Sequence, residues 1–273
     1  MSMVINTNMA SENAVRLLDQ VTRSQKVSME RLTSGLRINH TADDAAGKAV
    51  VTKMDSQIMG TDMAIRNAND GISLSQTMDG ALEEAVNMLQ RMRELAVQMA
   101  NETYSPAQRL DAQREVSQLQ IEISRIGATT KFNGTNLLNS HAIMSFHVGW
   151  EQSAINEIHL SKVNLGAVSR HYDSVNLTTQ SKALSSLSML DKDISALNLA
   201  RAKLGAVQNR LEHTVANLQN VNENIKAARS QIMDADFARE SANLARTQVL
   251  QQAGMAMLSQ ANKTSQQVVQ LLK

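Results

Sequence analysis

Apolar residues recur at spacings of three and four along most of this 273-residue chain, and very little interrupts them. Ile58, Ile65 and Ile72 are seven apart, and Met78, Leu82, Val86 (or Ala85), Leu89, Met92, Leu95 and Met99 continue the series. A second stripe runs through Leu187, Leu190, Ile194, Leu197, Leu204, Val207, Leu211, Val215, Leu218, Val221 and Ile225. Such near-heptad spacing makes the seam of a helix that packs lengthwise on a partner helix. One Pro and eleven Gly in the whole chain leave too few turns for a many-stranded sandwich or barrel. A helix over about 44–100 would span about 85 Å at 1.5 Å per residue, longer than a small globule is wide. Gly60, Gly71 and Gly80 lie inside it. Each costs about 1 kcal/mol against Ala, so packing must hold that segment helical.

The boundaries follow from local chemistry. Val15, Leu18, Val21, Met29, Leu32 and Leu36 mark an N-terminal helical arm that ends near Ser34-Gly35. Thr41 with Asp44 reads as a capping box for the next helix. Ser105-Pro106 with Gln108 caps a third helix over about 106–127, which should fold back antiparallel after so short a connection. Gly127 suits its end. Alternation in 143–148 and 155–160 predicts one or two small β-hairpins. Asp234 or Asp236 can cap a last helix carrying Phe237, Leu244, Val249, Leu250, Met257, Leu258, Val268, Leu271 and Leu272. The fold class expected is mainly α: a long antiparallel coiled-coil or helical bundle of N- and C-terminal segments, with a small β-hairpin insert. Each terminal arm carries a stripe wider than one partner helix covers. Left unpaired it has no core, and it should order only on association.

Chemistry is sparse. No HExxH, P-loop, GxGxxG after a strand or GxSxG occurs, and no catalytic, cofactor-binding or metal-binding residues are assigned. His141, His147, His159 and His171 are spaced unlike any standard ligand set and read as solvated loop residues. Asp43-Asp44 sits at a helix start, where cap and dipole duty is the natural role. The sixteen Met fall mostly at helical core positions. With 27 basic and 26 acidic residues there is no field to draw nucleic acid. No apolar run is long enough for membrane insertion, and MSMVINTNMASEN has no features of a cleavable secretory signal.

Several ordered stretches are familiar. Val4-Ile5-Asn6-Thr7-Asn8, the run from Glu30 to Asn39 (ERLTSGLRIN) and Asp43-Asp44-Ala45-Ala46-Gly47 resemble the N-terminal part of bacterial flagellin. So do the run from Leu89 to Gln98 (LQRMRELAVQ) and Lys131-Phe132-Asn133-Gly134 followed by Asn136-Leu137-Leu138. The run from Leu204 to Leu211 (LGAVQNRL), Asp234-Ala235-Asp236-Phe237 and the run from Gln251 to Leu258 (QQAGMAML) are similar to its C-terminal part. The resemblance covers about 1–140 and 181–273.

It implies an extracellular structural subunit of the flagellar filament, serving swimming or swarming motility and exported unfolded through the flagellar type III apparatus. It implies an inner terminal-arm domain, 1–43 with 232–273, lining the lumen. An outer helical bundle, 44–140 with 181–231, would follow, and 141–180 would stand as a short β-rich insert in place of the variable outer domains. The arm interface would use Val15, Leu18, Val21, Leu32, Leu250, Met257, Leu258, Leu271 and Leu272. The implied partners are other copies of the chain, an export chaperone on the C-terminal arm, and hook-associated junction and cap proteins. An animal Toll-like receptor would meet a surface at Gln90, Arg91, Leu95 and Glu115 that also packs subunits. A hook–filament junction protein, which shares the terminal helices, is the alternative. Family members commonly have a Pro near the C-terminal end, whereas here 262–268 reads NKTSQQV, so the last helix is expected to continue unbroken.

Overall fold

The structure is a computed structural model and describes residues 8–271, with side chains described over 8–263 apart from Val168. It is mainly α-helical. In chain order come α1 (Met9–Ser34), α2 (Ala45–Met99), α3 (Pro106–Thr129), β1 (Lys131–Phe132), β2 (Thr135–Asn136), β3 (Ile143–His147), β4 (Glu157–Ser161), α4 (Leu165–Val168), α5 (Gln180–Met233) and α6 (Phe237–Leu271). The last helix runs without a break, as the missing Pro suggests. Among the described residues no helix is long and apolar enough to cross a membrane.

The chain packs as two units. One holds α1, α6, α2 as far as Ser56 and α5 from Asn224; the other is Gln57–Glu223. These divisions lie inside α2 and α5, whereas the expected ones, 43/44 and 231/232, lie close to where those helices begin and end.

Within Gln57–Glu223, α2 and α5 run antiparallel. Asn222 pairs with Asp62, Gln208 Nε2 donates to Ser75 Oγ (3.1 Å), Arg201 Nε to Asp79 (2.8 Å) and Arg93 Nε to Asp191 (2.6 Å). Between these polar rungs lies the core: Leu74, Met78, Leu82, Leu89 and Met92 of α2 with Leu190, Leu197 and Leu204 of α5. The two heptad stripes read from the sequence therefore face each other as far as Leu211 of α5, whereas Val221 is exposed and Asn222 beside it takes the buried position. The helix α3 folds back on α2 and adds Val116 and Ile123. Its start is the expected capping box, with Ser105 accepting from the Gln108 amide and the Gln108 side chain accepting from the Ser105 amide. It continues past Gly127 to Thr129. Buried Arg109 donates to the carbonyls of Met99 and Asn101, closing the C-terminal end of α2 where carbonyls lack helical partners.

Two antiparallel hairpins form. β1–β2 turns at Asn133-Gly134, both with positive φ (47° and 78°), the backbone of a tight two-residue turn. β3–β4 pairs Ile143 with Ser161 through His147 with Glu157. Strand β4 starts at Glu157 rather than at Ile155, because Ala154–Asn156 forms a 3₁₀ turn capped by Ser153. The segment 141–180 is not merely draped outside. Leu160, Val163, Leu165, Tyr172, Val175 and Leu177 are buried in the same core. This also accounts for two glycines inside α2. A Cβ on Gly60 would meet the Trp150 Cβ at 2.8 Å, and one on Gly71 would meet Phe146 at 3.2 Å. The β3–β4 hairpin lies against that side of the helix, and its packing offsets the helical cost of glycine.

One capping expectation is corrected. Thr41 does not cap α2, because residues 41–43 form a turn closed by the Asp43 amide donating to the His40 carbonyl (3.1 Å). Asp44 is the cap itself, and its Oδ1 accepts from the Gly47 amide at 2.8 Å. Asp43 accepts from the His40 and Asn39 amides (2.8 and 3.0 Å). At the other candidate, Asp236 caps α6 by accepting from Ala238 and Arg239, while Asp234 bridges to Leu36.

Candidate functional site

The terminal arms pair with each other. α1 and α6 run antiparallel, with Asn8 Nδ2 donating to the Ala261 carbonyl (3.1 Å) at one end and Arg31 reaching Glu240 at the other. The approach is close at Gly254, where a Cβ would meet Leu18 Cδ2 at 2.9 Å. α1 opens with Asn8 accepting from Ser11 and ends on Gly35 in the left-handed region (φ 71°), as the sequence suggests. The chain then runs beside the end of α5: the Arg37 amide donates to Met233 and the Ala235 amide to Gly35.

A polar cluster locks the two arms. Glu240, only 7% exposed, accepts from Ser28 Oγ and from Arg31, each at 3.0 Å. Burial pushes its carboxyl up. Hydrogen bonds from Arg31, Ser28 and Asn243 outweigh that, and it rests below the ordinary value of 4.5. Periodicity could not find this cluster, because its members lie more than 200 residues apart. A Ser within the apolar stripe of α1 is the trace it leaves in the sequence.

The expected arm-interface residues divide into two groups. Leu18, Val21, Leu32 and Leu258 are half-buried, while Val15, Leu250 and Met257 are exposed. Leu17, Met29, Phe237, Val249 and Met255 add to the exposed set. The arms thus cover one stripe mutually and leave further apolar surface uncovered. The side chain of Leu271 and all of Leu272 lie outside the described residues.

At the second expected surface, Gln90, Arg91 and Glu115 are exposed together. Arg91 donates to Glu115 through Nε (2.8 Å) and to Glu94 through a terminal nitrogen (3.1 Å). The bond to Glu115, then that to Glu94, hold the guanidinium above its ordinary range. Leu95 does not share this surface. It is 4% exposed and packs in the α2–α3–α5 core. Its place in the apolar series with Leu89, Met92 and Met99 sends it inward, which corrects its assignment as a surface contact.

The histidines are also clarified. Among the described residues no cluster of three or more His, Asp or Glu is arranged to hold a metal ion. His171 is more than a solvated loop residue: its amide and Nδ1 both meet the buried carboxylate of Asp193, at 3.0 and 2.8 Å. That contact pins 165–177 to α5.

These features define a mainly helical coiled-coil protein whose two ends pair with each other and still present apolar faces. Residues 5–142 match the family model described as the bacterial flagellin N-terminal helical region, and residues 187–272 match the bacterial flagellin C-terminal helical region. The chain belongs to the bacterial flagellin family, as a short form without a large variable domain between the two matched regions. It is 44% identical over 272 residues to the flagellin of Halalkalibacterium halodurans, covering 99% of this chain and 100% of that protein. It is 41% identical over 286 residues to flagellin FlaB2 of Treponema pallidum, with the same coverage. Among solved structures, Bacillus cereus flagellin superposes with a TM-score of 0.50 at 30% identity, over 56% of this chain and 88% of that one. A putative flagellar hook-associated protein from Vibrio parahaemolyticus shares the fold at 11% identity, with a TM-score of 0.59 over 70% of this chain and 100% of that one.

Proposed function

We propose that this chain is the structural subunit of a bacterial flagellar filament, polymerising with copies of itself. The observation that carries the reading is the uncovered apolar surface on the paired arms, Val15, Leu17, Leu250 and Met257 among it. Such stripes on both partners of a two-helix pair are suited to further helices from neighbouring copies. In this reading 1–43 and 232–273 form the lumen-side inner coiled coil. The outer bundle is 44–140 with 181–231, and 141–180 replaces the outer domains. Export proceeds unfolded through the flagellar type III apparatus to the cell exterior, where the filament serves motility. The C-terminal arm is the chaperone's binding segment before assembly, and junction and cap proteins bound the filament.

Full-length relatives named as flagellins and filament core proteins favour this over a hook–filament junction protein. The shared fold with a hook-associated protein at 11% identity does not separate the two. Purified monomer added to short filament fragments should elongate them into long filaments under the electron microscope. Growth that stops at one short ring would support the junction reading instead.

The exposed Arg91–Glu115 pair serves subunit packing in the filament and, in the free monomer, recognition by an animal Toll-like receptor. Arg91→Ala with Glu115→Ala should reduce receptor signalling by the monomer while its melting temperature stays put. Undiminished signalling by the double variant would remove the receptor from the account.

A further inference from the structure

Two features of the Gln57–Glu223 unit remain unused by the arms. The first is the tip of the β3–β4 hairpin. Ile155 there is 92% exposed and Trp150 is 40% exposed. The tip is nonetheless a braced turn rather than a loose one. Ser153 caps its 3₁₀ turn, the Asn156 side chain donates to the Glu151 carbonyl (2.9 Å), and the Val148 amide donates to the Asn156 carbonyl (2.7 Å). A Cβ on Gly149 would collide with the Asn156 side chain. The fold holds an isoleucine out in water in a fixed geometry. The only charged residue in 150–156 is Glu151.

The second feature is a groove of about 610 Å³ between β4 and α5. Its apolar wall includes Ala196, Leu199 and Ala200 of α5, small enough in two of three positions to leave the hollow. His141, His159, Lys162 and Lys203 also line it, and no carboxylate among the described residues does. Among the described residues β4 pairs with β3 alone, so its other backbone edge, on the groove side at His159 and Ser161, has no strand partner there. Native proteins generally cover such an edge.

We propose that the hairpin tip of one copy, led by Ile155, seats in the β4–α5 groove of a second copy. The apolar tip meets an apolar wall, and the tip's carboxylate meets a basic rim. A molecule does not fill its own groove this way, since Ile155 stands 92% exposed in its own chain. Tip and groove are different surfaces, so a copy whose tip is seated can still offer its own groove to a third, and the contact can propagate head-to-tail. The proposal rests on the filament reading and assigns it a further contact outside the arms, apart from the Arg91–Glu115 pair.

The chain has no Cys, so single cysteines can be placed cleanly. Ile155→Cys and Ala200→Cys variants would be co-assembled on seeds and oxidised. Disulfide-linked dimers should appear in the mixture, and not when either variant is assembled alone. Filaments that form normally but give no mixed dimer would overturn the tip-in-groove contact and leave the filament reading standing. Wild-type chain that never elongates seeds would overturn both. As a second measure, Ile155→Ser should raise the critical concentration for elongation about tenfold or more, since it removes a buried isoleucine from each contact. Its monomer melting should not change, because the residue is exposed in the free chain. An unchanged critical concentration would contradict the proposal.

Discussion

Leu89→Ala should destabilise the Gln57–Glu223 unit by about 3–4 kcal/mol, read as a lower urea midpoint with an unchanged slope. Leu89 is fully buried at the centre of the α2–α3–α5 core, together with Met92, Val116 and Leu190. Removing its three outer carbons loses the burial of an isopropyl group and leaves a cavity. The cavity will collapse poorly, because polar rungs such as Arg93–Asp191 and Arg201–Asp79 hold α2 and α5 in register. Val97→Ala two turns further on is the control. Val97 is 51% exposed on the same helix, and its loss should stay within about 0.5 kcal/mol. Equal losses at the two positions would mean that the inward face of α2 is not the one described.

Glu240→Ala should loosen the arm pair by about 2 kcal/mol. It strips the acceptor from buried Ser28 and leaves the Arg31 guanidinium without its counter-charge. Hydrogen exchange over α1 and α6 should speed up accordingly, while Gln57–Glu223 keeps its protection. Glu240→Gln keeps an acceptor and should cost about half as much. The acid response separates these variants further. The carboxyl of Glu240 titrates lower in the folded chain than its ordinary value of 4.5. Its contribution is therefore complete above pH 4.5 and disappears as pH falls through the depressed folded value. Asp43, held below its usual range chiefly by the His40 amide, adds a response of the same sign. Arm protection in the wild type should fall as the solution is acidified below pH 4.5, and Glu240→Gln should flatten most of that fall. An identical acid response in the two would show that Glu240 is not the group that matters.

The long helices were legible because their apolar residues repeat without punctuation. Once α2 and α5 are known to be helical, the two stripes have little choice but to face each other. Ser105, Pro106 and Gln108 fixed the start of α3 for the same reason: the cap is local chemistry. The Thr41 cap failed because Asp44, also a good cap residue, competes for the same helix start, and the turn at 41–43 favours it. Contacts that join distant segments left almost no sequence trace. His171 meeting Asp193 and Ser28 meeting Glu240 need a folded chain before they are neighbours. Gly60 and Gly71 were visible as helix costs, but Trp150 and Phe146, which explain them, sit in a hairpin about 80 residues away. Leu95 is instructive in the other direction. Its own periodicity places it in the core, while the resemblance to the family implies a place on the surface. The core position is the one it occupies.

Seeded elongation of the intact chain beside one lacking 1–35 and 235–273 tests the central claim most directly. Light scattering and electron microscopy would follow growth, and far-UV circular dichroism would check that the shortened chain keeps its helices. The account predicts long filaments from the intact chain and none from a shortened chain that is still helical. Filaments from the shortened chain at the same monomer concentration would contradict it, since assembly would then not depend on the arms.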